Sequence, residues 1–191
     1  MWLLWGAIAA LVVLAGGTKA VTAAQDSSMK NLPAFNRFDS FFRKYGGISG
    51  IPFYVLKAIC MNESSLGEAA SVKRGIATPS DVEGSKSSDG KSWGIMQMTL
   101  PTAGDYDALV TPEKLNNPEY SVMLAARFLK DLYKQWPASL PRREEWIVKS
   151  YNQGAGNTRK ESRGEISGYA QVYWERFVRN KRILEEKGEL T

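Results

Sequence analysis

Between Asn117 and Pro137 the chain commits itself to a helix. Asn117 is a capping residue type and Pro118 suits a first turn. Val122, Ala125, Leu129, Leu132 and Trp136 then recur at three- and four-residue intervals until Pro137 ends the run. An apolar stripe of that kind is stable only when other elements cover it. Phe35, Phe38, Phe41, Phe42 and Tyr45 repeat with the same period, and Gly46-Gly47 reads as their stop. A second helix opens at Pro52 and carries Val55, Leu56, Ile59 and Cys60 on one face, with Glu63 at its C-terminal end. Another covers about Arg143 to Gln153, and the last is expected from Ser167 as N-cap to about Lys187, with Gly188 beyond it. Alternating strand patterns are scarce. The expectation is a mainly α single domain with a loop-rich excursion between Glu68 and Trp93, where Gly, Ser, Pro and Asp displace any period. At 191 residues there is room for one core and one active site.

The chain begins differently. Residues 2 to 17 are uncharged, and Lys19 is the one charge before Gln25, so residues 1 to 24 read as a membrane-directed helix. Sixteen apolar residues span roughly 24 Å of helix, short of a ~30 Å hydrocarbon core. Snorkelling by Lys19 would extend the helix to Ala24. An uncleaved anchor and a cleaved signal peptide both stay open: small residues from Val21 to Ala24 suit cleavage, but the basic leader is missing. A segment buried in a protein assembly is a third reading. Residues 25 to 31 read as a linker and 32 to 191 as the folded domain, exported or membrane-anchored and facing the periplasm or cell wall.

Composition narrows the chemistry. Histidine is absent and Cys60 is the only cysteine, which excludes a histidine general base, a Ser-His-Asp or Cys-His nucleophile, an ordinary zinc site and an internal disulfide. No metal or other cofactor is expected, and acid/base work falls to carboxylates. The net charge of +5 is spread along the chain without a basic block, so nothing points to nucleic acid, and an anionic wall polymer or membrane suits it. Glu63 is the carboxylate best placed for an acid role. The helix C-terminus puts partial negative charge beside it and apolar neighbours withhold water; both favour the protonated form. Helix position alone does not separate such an acid from a solvated glutamate.

Three segments in order do. PFYVLKAICMNESSLGEAAS begins at Pro52 and places Glu63-Ser64 at the end of an apolar helix; GIMQMTLPTA occupies 94 to 103; YNQGAG occupies 151 to 156. Together they resemble the catalytic domain of the soluble lytic transglycosylases, with a Glu-Ser motif, a Gly-x-Met-Gln segment followed by Pro-x-Thr-Ala (shortened here), and a Tyr-Asn-x-Gly segment. Glu165, four residues before Tyr169, is a weaker fourth echo. The resemblance covers roughly residues 50 to 175. It implies a lysozyme-like fold and a cleft for peptidoglycan glycan strands of alternating N-acetylglucosamine and N-acetylmuramic acid. It also implies one catalytic acid, Glu63, that cleaves the β-1,4 bond and closes a 1,6-anhydro ring on the muramic acid without consuming water.

By the same resemblance Ser64 helps hold the site, Gln97 hydrogen-bonds the sugar, and Tyr151, with Asn152 beside it, positions the glutamate. Tyr169 is a candidate for the cleft floor, although it also reads as a core residue with Val172 and Tyr173. Trp93 is a candidate cleft aromatic. Two departures stand out: the interval from Glu63 to Gly94 is wide, and Leu66 occupies a place where the family commonly has phenylalanine. The long interval contains Asp81, Glu83 and Asp89. Any of these as a second carboxylate would make the protein a hydrolase resembling goose-type lysozyme. An inactive wall-binding virion protein is the alternative outside enzymes. The short domain and weak membrane segment are similar to those of phage muralytic proteins, and a monomer is expected.

Overall fold

The computed structural model describes residues 35–68 and 90–190. The membrane-directed segment, the linker and Asp81, Glu83 and Asp89 lie outside the described residues. Eight helices and one minimal hairpin are found among them: α1 (Asp39–Ser49), α2 (Phe53–Ser64), β1 (Ser92–Trp93), β2 (Met98–Thr99), α3 (Leu100–Gly104), α4 (Pro112–Leu115), α5 (Pro118–Gln135), α6 (Arg143–Gln153), α7 (Ala155–Ser162) and α8 (Gln171–Glu186). The domain is mainly helical, as the periodicity requires. No helix among the described residues is long and apolar enough to cross a membrane.

α2 is the axis of the core. Every residue from Val55 to Met61 is buried, so the apolar face anticipated from sequence extends around the helix. Helices α1 and α8 pack against it, α5 covers α1, and α6 lies against both α5 and α8. Even Lys57 is buried: its ammonium meets Asp39 at 2.8 Å and Glu189 at 2.5 Å, and sits over the Phe35 ring. A charge this deep is tolerable because opposite charges and ring faces replace its water. It ties α1 and the residues after α8 to the central helix.

Caps account for several boundaries. The Asn117 side chain accepts from the Tyr120 N–H to start α5, and Thr99 accepts from the Thr102 N–H to start α3. Two expected boundaries move. Gly46-Gly47 does not end α1, which continues to Ser49 and stops at Gly50 in the left-handed region. Gly46 is inside the helix for space: a Cβ there would come within 2.7 Å of the Ile51 carbonyl oxygen as the chain doubles back. The last helix begins at Gln171, and Ser167 is not its cap. The segment before it is held from below: the Gln153 side chain accepts from the Ala170 N–H, and Gly168 lies so close to Glu161 that a Cβ would overlap the carboxylate.

Candidate active site

Glu63 is the penultimate residue of α2 and is half-buried. The chain turns sharply after it: Ser65, Leu66 and Gly67 all take positive φ values, and Leu66 is fully buried where it plugs the turn. Non-glycine residues in this region carry strain that persists only under tight packing. Ser64 supplies part of that constraint. Its hydroxyl donates to the Ile95 carbonyl at 2.7 Å and accepts from the Gly67 N–H at 2.9 Å. At 1% exposure it supports the turn behind Glu63.

The Ile95 carbonyl belongs to the turn of the β1–β2 hairpin, in which Ser92 faces Thr99 and Trp93 faces Met98. Three helices moor this turn. From α2 come Ser64 and, more weakly, the Cys60 thiol, 3.5 Å from the same oxygen. From α5, the Ser121 hydroxyl accepts from the Met96 N–H. From α6, the Tyr151 hydroxyl donates to the Met96 carbonyl at 2.8 Å. Gly94 is required here twice over, by its positive φ and because a Cβ would overlap the Leu115 backbone. The motif is therefore a packing device that fixes the hairpin against the helix bearing Glu63.

Gln97 closes the turn at φ 48°, and its side-chain amide donates to the Gly94 carbonyl at 2.8 Å. It is half-buried, as is Trp93 on β1. Asn152 is exposed on α6. Tyr169 is 60% exposed and accepts from the Asn157 side chain at 2.6 Å, so it is not a core residue; Val172 is exposed as well. Of that trio Tyr173 alone faces inward. Glu165 is exposed and paired with Arg163.

The Tyr151 hydroxyl donates to the Met96 carbonyl, while the Tyr173 hydroxyl of α8 donates to Glu63 Oε1 at 2.6 Å. The helical period marked Tyr173 only as core. The signal that pointed further was its hydroxyl, since a buried tyrosine needs a partner.

Burial pushes the Glu63 carboxyl up to about 7; the Tyr173 hydrogen bond and the charge of Arg176 work in the opposite direction and are outweighed. Burial, with Glu63 nearby, holds both tyrosine hydroxyls well above their ordinary range, so they remain donors. Burial likewise raises the Cys60 thiol, which stays protonated. The described site thus has one carboxyl able to hold and release a proton near neutrality, gripped at one oxygen. A shallow concavity lined by Tyr45, Lys114, Asn117, Glu119, Tyr120 and Met123 shares no residue with it.

Among the described residues the domain is thus helical, with one raised carboxyl at the end of α2 backed by a moored hairpin. The family model described as Transglycosylase SLT domain matches residues 40–171, well over half of the chain, and the protein belongs to that family. The match runs from α1 to the first residue of α8 and makes the chain an enzyme acting on peptidoglycan. Comparison with individually curated proteins finds no match.

Proposed function

We propose that the protein is a lytic transglycosylase in which Glu63 acts first as acid and then as base on the bond between N-acetylmuramic acid and N-acetylglucosamine. The observation that supports this most directly is the Glu63 carboxyl itself, raised to about 7 by burial and therefore still protonated where an acid must deliver its proton. Glu63 protonates the bridging oxygen as the C1–O bond breaks, and the muramic acid N-acetyl group assists at the anomeric carbon. The carboxylate left behind takes the proton from the C6 hydroxyl, whose oxygen closes on C1 to give the 1,6-anhydro ring. No water enters and the acid is regenerated.

One acid serves both halves, in keeping with the single raised carboxyl at the described site. Gln97 uses its amide N–H on Gly94, which leaves its carbonyl oxygen as the acceptor for a substrate N–H or hydroxyl. Trp93, Asn152 and Tyr169 are proposed to contact the glycan around Glu63. Residues 1 to 24 direct the domain to the membrane on the wall side, where its substrate lies.

Solubilisation of purified, dye-labelled peptidoglycan tests the role of Glu63. We expect Glu63→Gln to fold and to release label at least ~10²-fold more slowly than wild type. Wild-type rates in that variant would remove Glu63 from the mechanism.

A further inference from the structure

Helix α8 lies against α2 and buries Tyr173, Phe177, Asn180 and Leu184 along its inner face. One flank of that face is covered, where Lys181 pairs with Glu144 of α6 at 2.8 Å. The other flank is uncovered among the described residues. Tyr169, just before the helix, and Val172 are both exposed, and Arg176, one turn beyond Val172, is exposed as well. This row runs past Glu63, because Tyr173 reaches that carboxyl from between Val172 and Arg176.

Arg176 is close enough for its charge to act on Glu63, where it opposes the burial that keeps the acid protonated. Service to the acid therefore does not account for a cation in this place. No hydrogen-bond or ion-pair partner meets its guanidinium among the described residues. A guanidinium is a planar fork of donors that matches a carboxylate, and it stays charged throughout the neutral range.

We propose that Arg176 is a specificity-determining residue that reads a carboxylate on the lactyl arm of the muramic acid, with Val172 beside it as the apolar contact for that arm's methyl group. This rests on the peptidoglycan reading above and names the part of the substrate that the free flank of α8 receives. The arm leaves C3 of the sugar ring, two carbons from the C1 at which the bond breaks, so a cation that acts on the acid also lies within the arm's reach. An arm without a peptide ends in its own carboxylate. Where a stem peptide is attached that carboxyl is an amide, and the nearest carboxylate belongs to the acidic second residue of the stem. Both present the same chemistry to Arg176, a charge-assisted and forked hydrogen-bond pair.

The test is an NMR titration of the full chain with disaccharides of N-acetylglucosamine joined to N-acetylmuramic acid, which lack the bond to a following glucosamine and so are not cleaved. Two pairs are compared. One sets the free lactyl carboxylate against its amide, and the other sets a two-residue acidic stem against the same stem with its carboxyls amidated. Wild type is expected to bind the carboxylate member of one pair ~10-fold more tightly than its amide, and the pair that responds identifies the source of the carboxylate. Arg176→Gln is expected to bring the two members within ~2-fold of each other, while Arg176→Lys keeps part of the preference. Lys130→Gln, which removes an exposed charge from α5, is expected to keep all of it. No discrimination by wild type in either pair, discrimination that survives in Arg176→Gln, or an equal loss in Lys130→Gln would overturn the assignment. Thermal melting identifies a variant that has lost its fold, and Arg176→Met, which keeps the apolar stem, is then the second neutral variant. The probes do not turn over, so the outcome is separable from failure of the transglycosylase reading, which the products from intact peptidoglycan decide.

Discussion

Glu63 couples the proposed chemistry to the stability of the fold. In the folded protein it keeps its proton up to about pH 7, against an ordinary value of 4.5. Between those values the folded state holds a proton that the unfolded chain has released, so stability falls as pH rises through the window. The loss is at most ~3 kcal/mol, and less for a carboxyl that solvent partly reaches. Glu63→Gln removes this titration. Urea denaturation is expected to show the variant and wild type nearly equal relative to each other at pH 4, and the variant gaining on wild type by pH 8. A stability difference independent of pH would mean that Glu63 ionises normally. With Glu63 as the proposed acid, the same proton sets the working range, so release of peptidoglycan should decline above about pH 7 as the acid form disappears.

The elements that present this acid are held by backbone-directed contacts. Gly94→Ala puts a methyl group into the Leu115 backbone at a φ of +73°, so we expect a loss of more than ~2 kcal/mol in chemical denaturation, together with activity. A neutral result would mean that the hairpin is not pinned there. Ser64→Ala leaves the Ile95 carbonyl without its closest donor and is expected to cost ~1–2 kcal/mol. Much of this level was legible beforehand. Asn117-Pro118 announces α5 and the apolar run of α2 delivers Glu63 to a helix end, because those signals are local. What was not legible depends on distant neighbours. Helix α7 is short and polar, built on Gly154 and the buried Thr158, and no stripe gives it away. The start of α8 is displaced by contacts with Glu161 and Gln153. Which oxygen each of the Tyr151 and Tyr173 hydroxyls meets is invisible to periodicity, since both read as aromatic residues on helix faces and only three-dimensional packing decides it.

Across the whole molecule, two buried lysines join separate parts of the fold. Lys57 links α1, α2 and Glu189, while Lys149 on α6 meets Glu145 at 2.9 Å and Glu161 of α7 at 2.5 Å. Breaking such a pair strands the remaining charges. Lys57→Met, which keeps the apolar stem, is expected to lose ~3 kcal/mol in urea denaturation; a change below ~0.5 kcal/mol would reduce the cluster to a surface-like pair. These links keep α8, and with it Tyr173, seated on α2 beside Glu63. The decisive measurement is mass spectrometry of the muropeptides released from purified peptidoglycan by the full chain, with Glu63→Gln in parallel. We expect anhydro-muramic products, one water lighter than reducing ends, from the wild type and none from the variant. Reducing-end products would contradict a transglycosylase and require a water-activating second carboxylate, for which Asp81, Glu83 and Asp89 are the candidates.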